Sequence, residues 1–199
     1  SDGVLFNKDK TWLICCPKTK TGTYSIPEGI TAIDLTAFDG CNFITEIVIP
    51  ASLTSDYEFG YVFSKCESLE KITVDEKNES FSSADGVLYS KDKSVLLAYP
   101  KKTAVVIPNF VNEIGNDAFS YNYDLTDIVI PAAVTKIGQG AFSFCSNLSR
   151  ISLPNGITSI GYDAFSCTAY YYNENNWENG CLYLDNYLLR YHDNNNVES

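Results

Sequence analysis

Apolar and polar residues alternate in one short run that recurs along the chain, L-x-x-I-x-I followed in most copies by proline. Within it Ile47 and Ile49, Ile72 and Val74, Ile128 and Ile130, and Ile151 and Leu153 are spaced two apart, the period of a half-buried strand. These pairs are predicted to point inward and their neighbours to face solvent. Proline cannot donate to a strand ladder, so the strand is expected to end there and the chain to turn. A second extended run is predicted over residues 111–114, 134–137 and 157–160, and the glycine after three of its four copies is expected to permit the next tight turn. An Ala-Phe pair follows at Ala37-Phe38, Ala118-Phe119, Ala141-Phe142 and Ala164-Phe165, predicted to be buried on a short helical turn.

The Ile-Pro or Leu-Pro steps are Ile26-Pro27, Ile49-Pro50, Ile107-Pro108, Ile130-Pro131 and Leu153-Pro154, and the intervals 26 to 49, 107 to 130 and 130 to 153 are each 23. That period falls inside the range of leucine-rich repeats, about 20 to 29 residues. The second coil is longer, because Pro50 to Phe63 spans 13 positions where Pro27 to Phe38 spans 11, which predicts a surface loop around Asp56, Tyr57 and Glu58. No single coil could bury its apolar face alone, so stacked coils are expected to cover one another.

A second element interrupts the coils. Asp2-Gly3-Val4-Leu5-Phe6 through Leu13-Ile14 and Pro17 matches Asp85-Gly86-Val87-Leu88-Tyr89 through Leu96-Leu97 and Pro100 at an offset of 83, and Asn179-Gly180-Cys181-Leu182-Tyr183 with Leu188-Leu189 is a third copy. Each pairs two apolar runs across a polar turn, Asn7-Lys8-Asp9-Lys10, Ser90-Lys91-Asp92-Lys93 or Asp185-Asn186, as a β-hairpin does. The predicted fold is therefore one strand-rich α/β repeat solenoid of the leucine-rich-repeat type over residues 1–199, with short parallel strands, short helical turns and interleaved hairpins. Its parts are a hairpin at 2–17, coils at 26–74, a hairpin at 85–100, coils at 107–169 and a C-terminal hairpin or cap at 170–191. The start Ser1-Asp2-Gly3-Val4 has no leader-like pattern and the chain has no methionine, so a fragment of a longer protein is expected.

This template, with its Ile-Pro starts, Ala-Phe pairs and a cysteine three residues after the Phe of three coils out of five (Cys41, Cys66 and Cys145), resembles the BspA-like leucine-rich repeat family, as do the D-G-V-L-Y hairpins. The likeness covers residues 2–191. It implies a surface-exposed or secreted bacterial protein engaged in adhesion to host matrix proteins or to other cells, hence an extracellular location. Departures are Val62 in an Ala position, Asn122 in the cysteine column, and Cys167 two residues after Phe165 instead of three.

Composition narrows the function further. A net charge of −11 repels the phosphate backbone that nucleic-acid binders must neutralise, and no run approaches the roughly 18 to 20 apolar residues of a membrane span. The single histidine, His192, lies in a polar tail, which leaves a Ser or Cys nucleophile without its usual base and zinc without its commonest ligand. Neither a D-x-D-x-D-G calcium loop nor a C-x-x-C pair is present. No catalytic residue, metal site or cofactor is expected. Cys41, Cys66, Cys145 and Cys167 are taken as one repeat column of small buried hydrophobes, with a disulfide inside the column as the open alternative; Cys15-Cys16 is taken as packing. Asn78-Glu79-Ser80 and Asn147-Leu148-Ser149 fit the glycosylation pattern, which arises often by chance.

Two surfaces could bind a partner. The first is the outward row of the strand ladder, Glu46, Val48, Lys71, Thr73, Asp127, Val129, Arg150 and Ser152, either a recognition face or an ordinary solvated sheet. The second is Tyr170, Tyr171, Tyr172 and Trp177, either an aromatic hot spot or a cap on the solenoid end. The expected role is a non-catalytic protein-binding or adhesion module for a host extracellular-matrix or bacterial surface protein, or a glycan. The alternatives are a stalk presenting another domain and a carbohydrate-binding or enzyme-associated module.

Overall fold

The computed structural model describes residues 3–55, 59–101 and 105–191. The expected loop around Asp56, Tyr57 and Glu58 and the single histidine lie outside the described residues. The chain winds as a strand-rich solenoid of short parallel rungs with few short helices. On one side run Thr21–Ser25, Phe43–Ile49 and Lys71–Val74, followed further along by Asp127–Val129 and Arg150–Ser152. The other side carries Ala32–Ile33 and, later, Glu113–Ile114, Lys136–Ile137 and Ser159–Ile160. Register follows the sequence period: Asp127 faces Arg150 and Glu113 faces Lys136, each 23 apart, whereas Glu46 faces Lys71. The two extra residues of that coil are thus accommodated without a shift of the strands.

The inward pairs fill the interior. Ile47, Ile49, Ile72, Val74, Ile128 and Ile130 are buried, while Ile151 and Leu153 of the last rung are half-buried. The three C-terminal Ala-Phe pairs form a continuous aromatic column, with Tyr99 on Phe119 at 4.8 Å, Phe119 on Phe142 at 4.9 Å and Phe142 on Phe165 at 5.2 Å between ring centroids, while Phe38 meets Phe63 in the N-terminal core. The expected helical turns at these pairs are not α-helices in four of the five coils. Successive turn bonds such as Ser120 N–H to Asp117 O (2.9 Å) cannot propagate, because the flanking Asp117 and Tyr121 have positive φ (52° and 58°). The amides that a helix would use point instead to the next coil: Phe119 donates to Ala141 O at 2.8 Å, and Tyr121 to Ser143 O at 2.9 Å. Among the described residues the coil with the insertion alone forms an α-helix at this position, Phe59–Ser64.

Gly115, Gly138 and Gly161 serve a different purpose from the one expected. None needs positive φ; a Cβ on Gly138 would lie 2.6 Å from Asn116 N, and one on Gly161 2.3 Å from Gln139 N. The coils approach so closely there that no side chain fits between them.

Each predicted hairpin is present, and the second and third carry an extra strand. Phe81–Ala84 pairs antiparallel with Val87–Ser90, and Trp177–Glu178 with Cys181–Leu184, across Asp85-Gly86 and Asn179-Gly180. Both residues of each dipeptide have positive φ, the geometry of a two-residue hairpin turn. The second meander divides the interior. Phe81, Leu88 and Ala98 pack with the N-terminal coils, whereas Val87, Tyr89 and Leu96 pack with the C-terminal ones.

Candidate partner-binding face

The outward row falls into two patches. Glu46, Val48, Lys71 and Thr73 stand on one three-stranded ladder, and Asp127, Val129, Arg150 and Ser152 on a separate two-stranded ladder. The interruption arises because Lys71–Val74 meets the second meander: Ile72 N–H donates to Gly86 O at 2.8 Å and Val74 N–H to Ser83 Oγ at 3.0 Å. An open groove lies beside this junction, lined by Lys71, Thr73, Asp85 and Lys101 among others. Burial pushes the Lys101 ammonium below its ordinary value, and its Nζ lies 5.4 Å from the Tyr123 ring centroid.

Charges within the row neutralise one another across strands. Glu46 receives Lys71 Nζ at 2.8 Å, Thr73 Oγ1 at 2.7 Å and Thr23 Oγ1 at 3.2 Å, and the hydrogen bonds from Lys71 and Thr73 hold its carboxyl below the usual range. Asp127 receives Arg150 Nη2 at 3.1 Å and Thr126 Oγ1 at 2.8 Å. Exposed pairs of this kind contribute about 0 to 1 kcal/mol each, so their main effect is to fix side-chain positions.

The apolar members differ. Val48 is half-buried, whereas Val129 is 71% exposed and Val106, one coil before it, 73%. Val106 was not among the expected row residues, because the apolar alternation is broken in its coil, where Thr103-Ala104-Val105-Val106 precedes Ile107-Pro108. Counting back from the proline gives it the template position that Val48 and Val129 hold in their coils. A second missed feature is an aromatic pair on the solenoid edge, Tyr121 stacked on Phe144 at 4.6 Å and nearly parallel.

The C-terminal aromatics are brought together and bonded inward. Thr168 caps the short helix Ala169–Tyr172 by accepting from Tyr171 N–H at 3.0 Å. Tyr170 donates its hydroxyl to Tyr183 O at 2.7 Å, Trp177 Nε1 donates to Tyr171 O at 2.8 Å, and Tyr171 and Trp177 meet edge-to-face at 5.5 Å. Tyr172 is the one of the four that projects into solvent.

All seven cysteines are free thiols. Cys41, Cys66 and Cys145 are buried, and each donates back to a carbonyl of the preceding turn, Cys145 to Phe119 O at 3.1 Å and Cys66 to Phe38 O at 3.6 Å. Burial pushes the Cys66 and Cys145 thiols up to about 12. Cys167 does not belong to this column. It sits half-exposed at φ 56°, the left-handed position that Phe144 and Tyr121 occupy in their coils, and the buried column position passes to Thr168, whose hydroxyl donates to Phe165 O at 2.8 Å. Asn122 occupies the column in its own coil, with Nδ2 buried and without an acceptor among the described residues. Asn78, the first glycosylation-pattern residue, is buried: Nδ2 donates to Pro50 O and Leu53 O, and Oδ1 accepts from Ser80 and Phe81 N–H, all at 2.8–2.9 Å.

Among the described residues no three His, Cys, Asp or Glu side chains gather where they could hold a metal ion, and no helix is long and apolar enough to cross a membrane.

Parallel rungs spaced 23 residues apart, an inward Ile/Leu lining and a stacked Phe column define a leucine-rich-repeat solenoid. The chain belongs to the BspA type leucine-rich repeat family, which residues 15–85 and 99–196 match in six copies. The Ile-Pro and Leu-Pro steps number five; the strand Lys71–Val74 is a further rung, with Asp75 where proline stands elsewhere. Among solved structures the chain is similar to a leucine-rich repeat protein from Eubacterium ventriosum, with 31% identity over 72% of this chain and 39% of that one and a TM-score of 0.58. A leucine rich cell surface protein from Faecalibacterium prausnitzii is 28% identical over 74% of this chain and 51% of its own, with a TM-score of 0.52. The pneumococcal vaccine antigen PcpA, 22% identical over 81% of this chain and 49% of its own, shares the fold at a TM-score of 0.54. The chain thus spans 39% to 51% of the length of these three relatives. No curated protein matches it.

Proposed function

We propose that this chain is a non-catalytic protein-binding module of a bacterial surface or secreted protein, and that it adheres to a host matrix or cell-surface protein through the outward face of its strand ladder. The observation that carries this reading is the exposure of Val106 and Val129 one coil apart, on a scaffold whose neighbouring Asp127 and Arg150 are fixed by their mutual ion pair. Fully burying a valine is worth roughly 1.5 to 3 kcal/mol, so these two residues supply affinity, while the paired charges contribute register and selectivity. The name of one relative supports the location: it is a leucine rich cell surface protein.

The self-neutralised pairs favour a second reading, a spacer that presents another domain, because a face whose charges are already satisfied offers few free groups. A binding screen of the purified chain against immobilised matrix proteins and a glycan array separates the two. Saturable binding weakened at least tenfold by Val106→Asp/Val129→Asp, and unaffected by Tyr172→Ala, supports the ladder face. Binding lost with Tyr172→Ala transfers the site to the C-terminal aromatics, and no binding at all favours the spacer.

A further inference from the structure

The first hairpin and the two meanders place equivalent residues on one face, but only in the first two is that face covered. Their antiparallel registers place Phe6 opposite Leu13, Tyr89 opposite Leu96 and Tyr183 opposite Leu188. In the second meander Tyr89 and Leu96 are 1% and 0% exposed, and Leu13 in the first is likewise sealed; in the third, Tyr183 and Leu188 are 41% and 55% exposed. Tyr191 matches Tyr99, which stacks on Phe119 of the following coil, yet Tyr191 is 59% exposed. The opposite face of the third meander is already in use, with Leu182 and Leu184 buried and Arg190 paired with Asp163 at 2.7 Å. An exposed layer of large apolar side chains marks an interaction surface.

What covers the equivalent surface in the other two cases is the same object each time. A coil lays its second short strand parallel to the last hairpin strand, Ile33 beside Leu13 and Ile114 beside Leu96. It then donates Asp34 N–H to Leu13 O, or Gly115 N–H to Leu96 O, both at 2.8 Å. Its Ala-Phe turn accepts from the residue after the hairpin, Cys16 to Ala37 O and Tyr99 to Ala118 O, again at 2.8 Å. We propose that the face formed by Tyr183, Leu188 and Tyr191 is the seat of a further repeat coil of this template, stacked in the same register. The meander is then a two-faced partition that closes one stack of coils and starts another, as the second meander does between the two interior cores.

The test keeps the whole chain and adds one coil, the sequence of residues 100–133, between Tyr191 and His192. Nitration of tyrosines by tetranitromethane is followed site by site, with the exposed Tyr162 and Tyr172 as internal references. In the extended chain Tyr183 and Tyr191 become protected while both references still react, the Tm rises, and Leu188→Asp abolishes both effects. The same Leu188→Asp change leaves the Tm of the unextended chain unaltered. Two results overturn the proposal. One is Tyr183 and Tyr191 reacting as fast as the references in the extended chain, whether or not the added coil folds. The other is a dimer of the unextended chain in sedimentation that Leu188→Asp disperses, which assigns the face to a second copy.

Discussion

Phe142 is the middle ring of the aromatic column, fully buried and stacked on Phe119 and Phe165 at 4.9 and 5.2 Å. Phe142→Ala removes a core ring, for which about 3 to 5 kcal/mol is typical, and deletes two stacking contacts of roughly 0.5 to 1.5 kcal/mol each that are part of that total. A loss near 4 kcal/mol is a large share of the 5 to 15 kcal/mol that holds an ordinary domain, and in a chain of this size it lowers Tm by roughly 8 to 16 °C. Phe165 has one such neighbour in the column instead of two, so Phe165→Ala is expected to cost less. Because coils contact only their neighbours and the second meander separates two cores, the loss is expected to be local. Hydrogen exchange of the Phe142→Ala variant should show faster exchange over the rungs Glu113–Ile114, Lys136–Ile137 and Ser159–Ile160, with Phe43–Ile49 and Lys71–Val74 close to wild type. Equal acceleration in both halves would refute the partition, and equal costs for the two Phe substitutions would refute the stacking argument.

The same geometry predicts three further outcomes. Gly161→Ala forces a Cβ to 2.3 Å from Gln139 N and should cost 2 kcal/mol or more in urea unfolding, about the cost of overpacking, whereas Gly156→Ala, whose nearest neighbour is Ala132 O at 3.9 Å, should be nearly neutral. Asn78→Leu removes four hydrogen bonds from its amide to backbone groups between the second coil and the meander, of which Pro50 O also accepts from Leu53 N–H, and should cost about 3 kcal/mol or more by thermal unfolding. In thiol titration with Ellman's reagent, Cys15 should react first in the native protein, and Cys66 and Cys145, pushed up to about 12 by burial, only on unfolding. Rapid native labelling of Cys145 would contradict its place in the column.

The period of 23 and the alternation in Ile47-Val48-Ile49 were enough to recover the solenoid, its ladder register and most of its core, because those features repeat and each copy reports the same inward direction. What escaped the sequence depends on contacts between coils. Gly138 looks like a turn residue until the backbone of Asn116 is seen beside it. Cys167 looks like a column member because sulfur stands near the expected place, but Thr168 has the correct spacing and takes the buried position, its hydroxyl bonded within its own turn to Phe165 O instead of to the preceding coil. The strands before Asp85-Gly86 and Asn179-Gly180 are absent from the two-run hairpin reading because Phe81-Ser82-Ser83-Ala84 and Trp177-Glu178 are too polar or too short to announce a strand; the turn dipeptides are the one signal that could have found them. The candidate face divides at Lys71–Val74 because the meander that directly follows folds back onto its edge, through Ser83 and Gly86, and the apolar alternation of the strand does not encode that.

The most direct test of the binding face is a hydrogen-exchange footprint of the chain saturated with the matrix protein it captures. Protection at Phe43–Ile49, Asp127–Val129 and Arg150–Ser152, with Glu113–Ile114 and Lys136–Ile137 on the opposite side unchanged, is the predicted result. Protection confined to that opposite side, or a chain that captures no matrix protein at saturating concentration, contradicts the account.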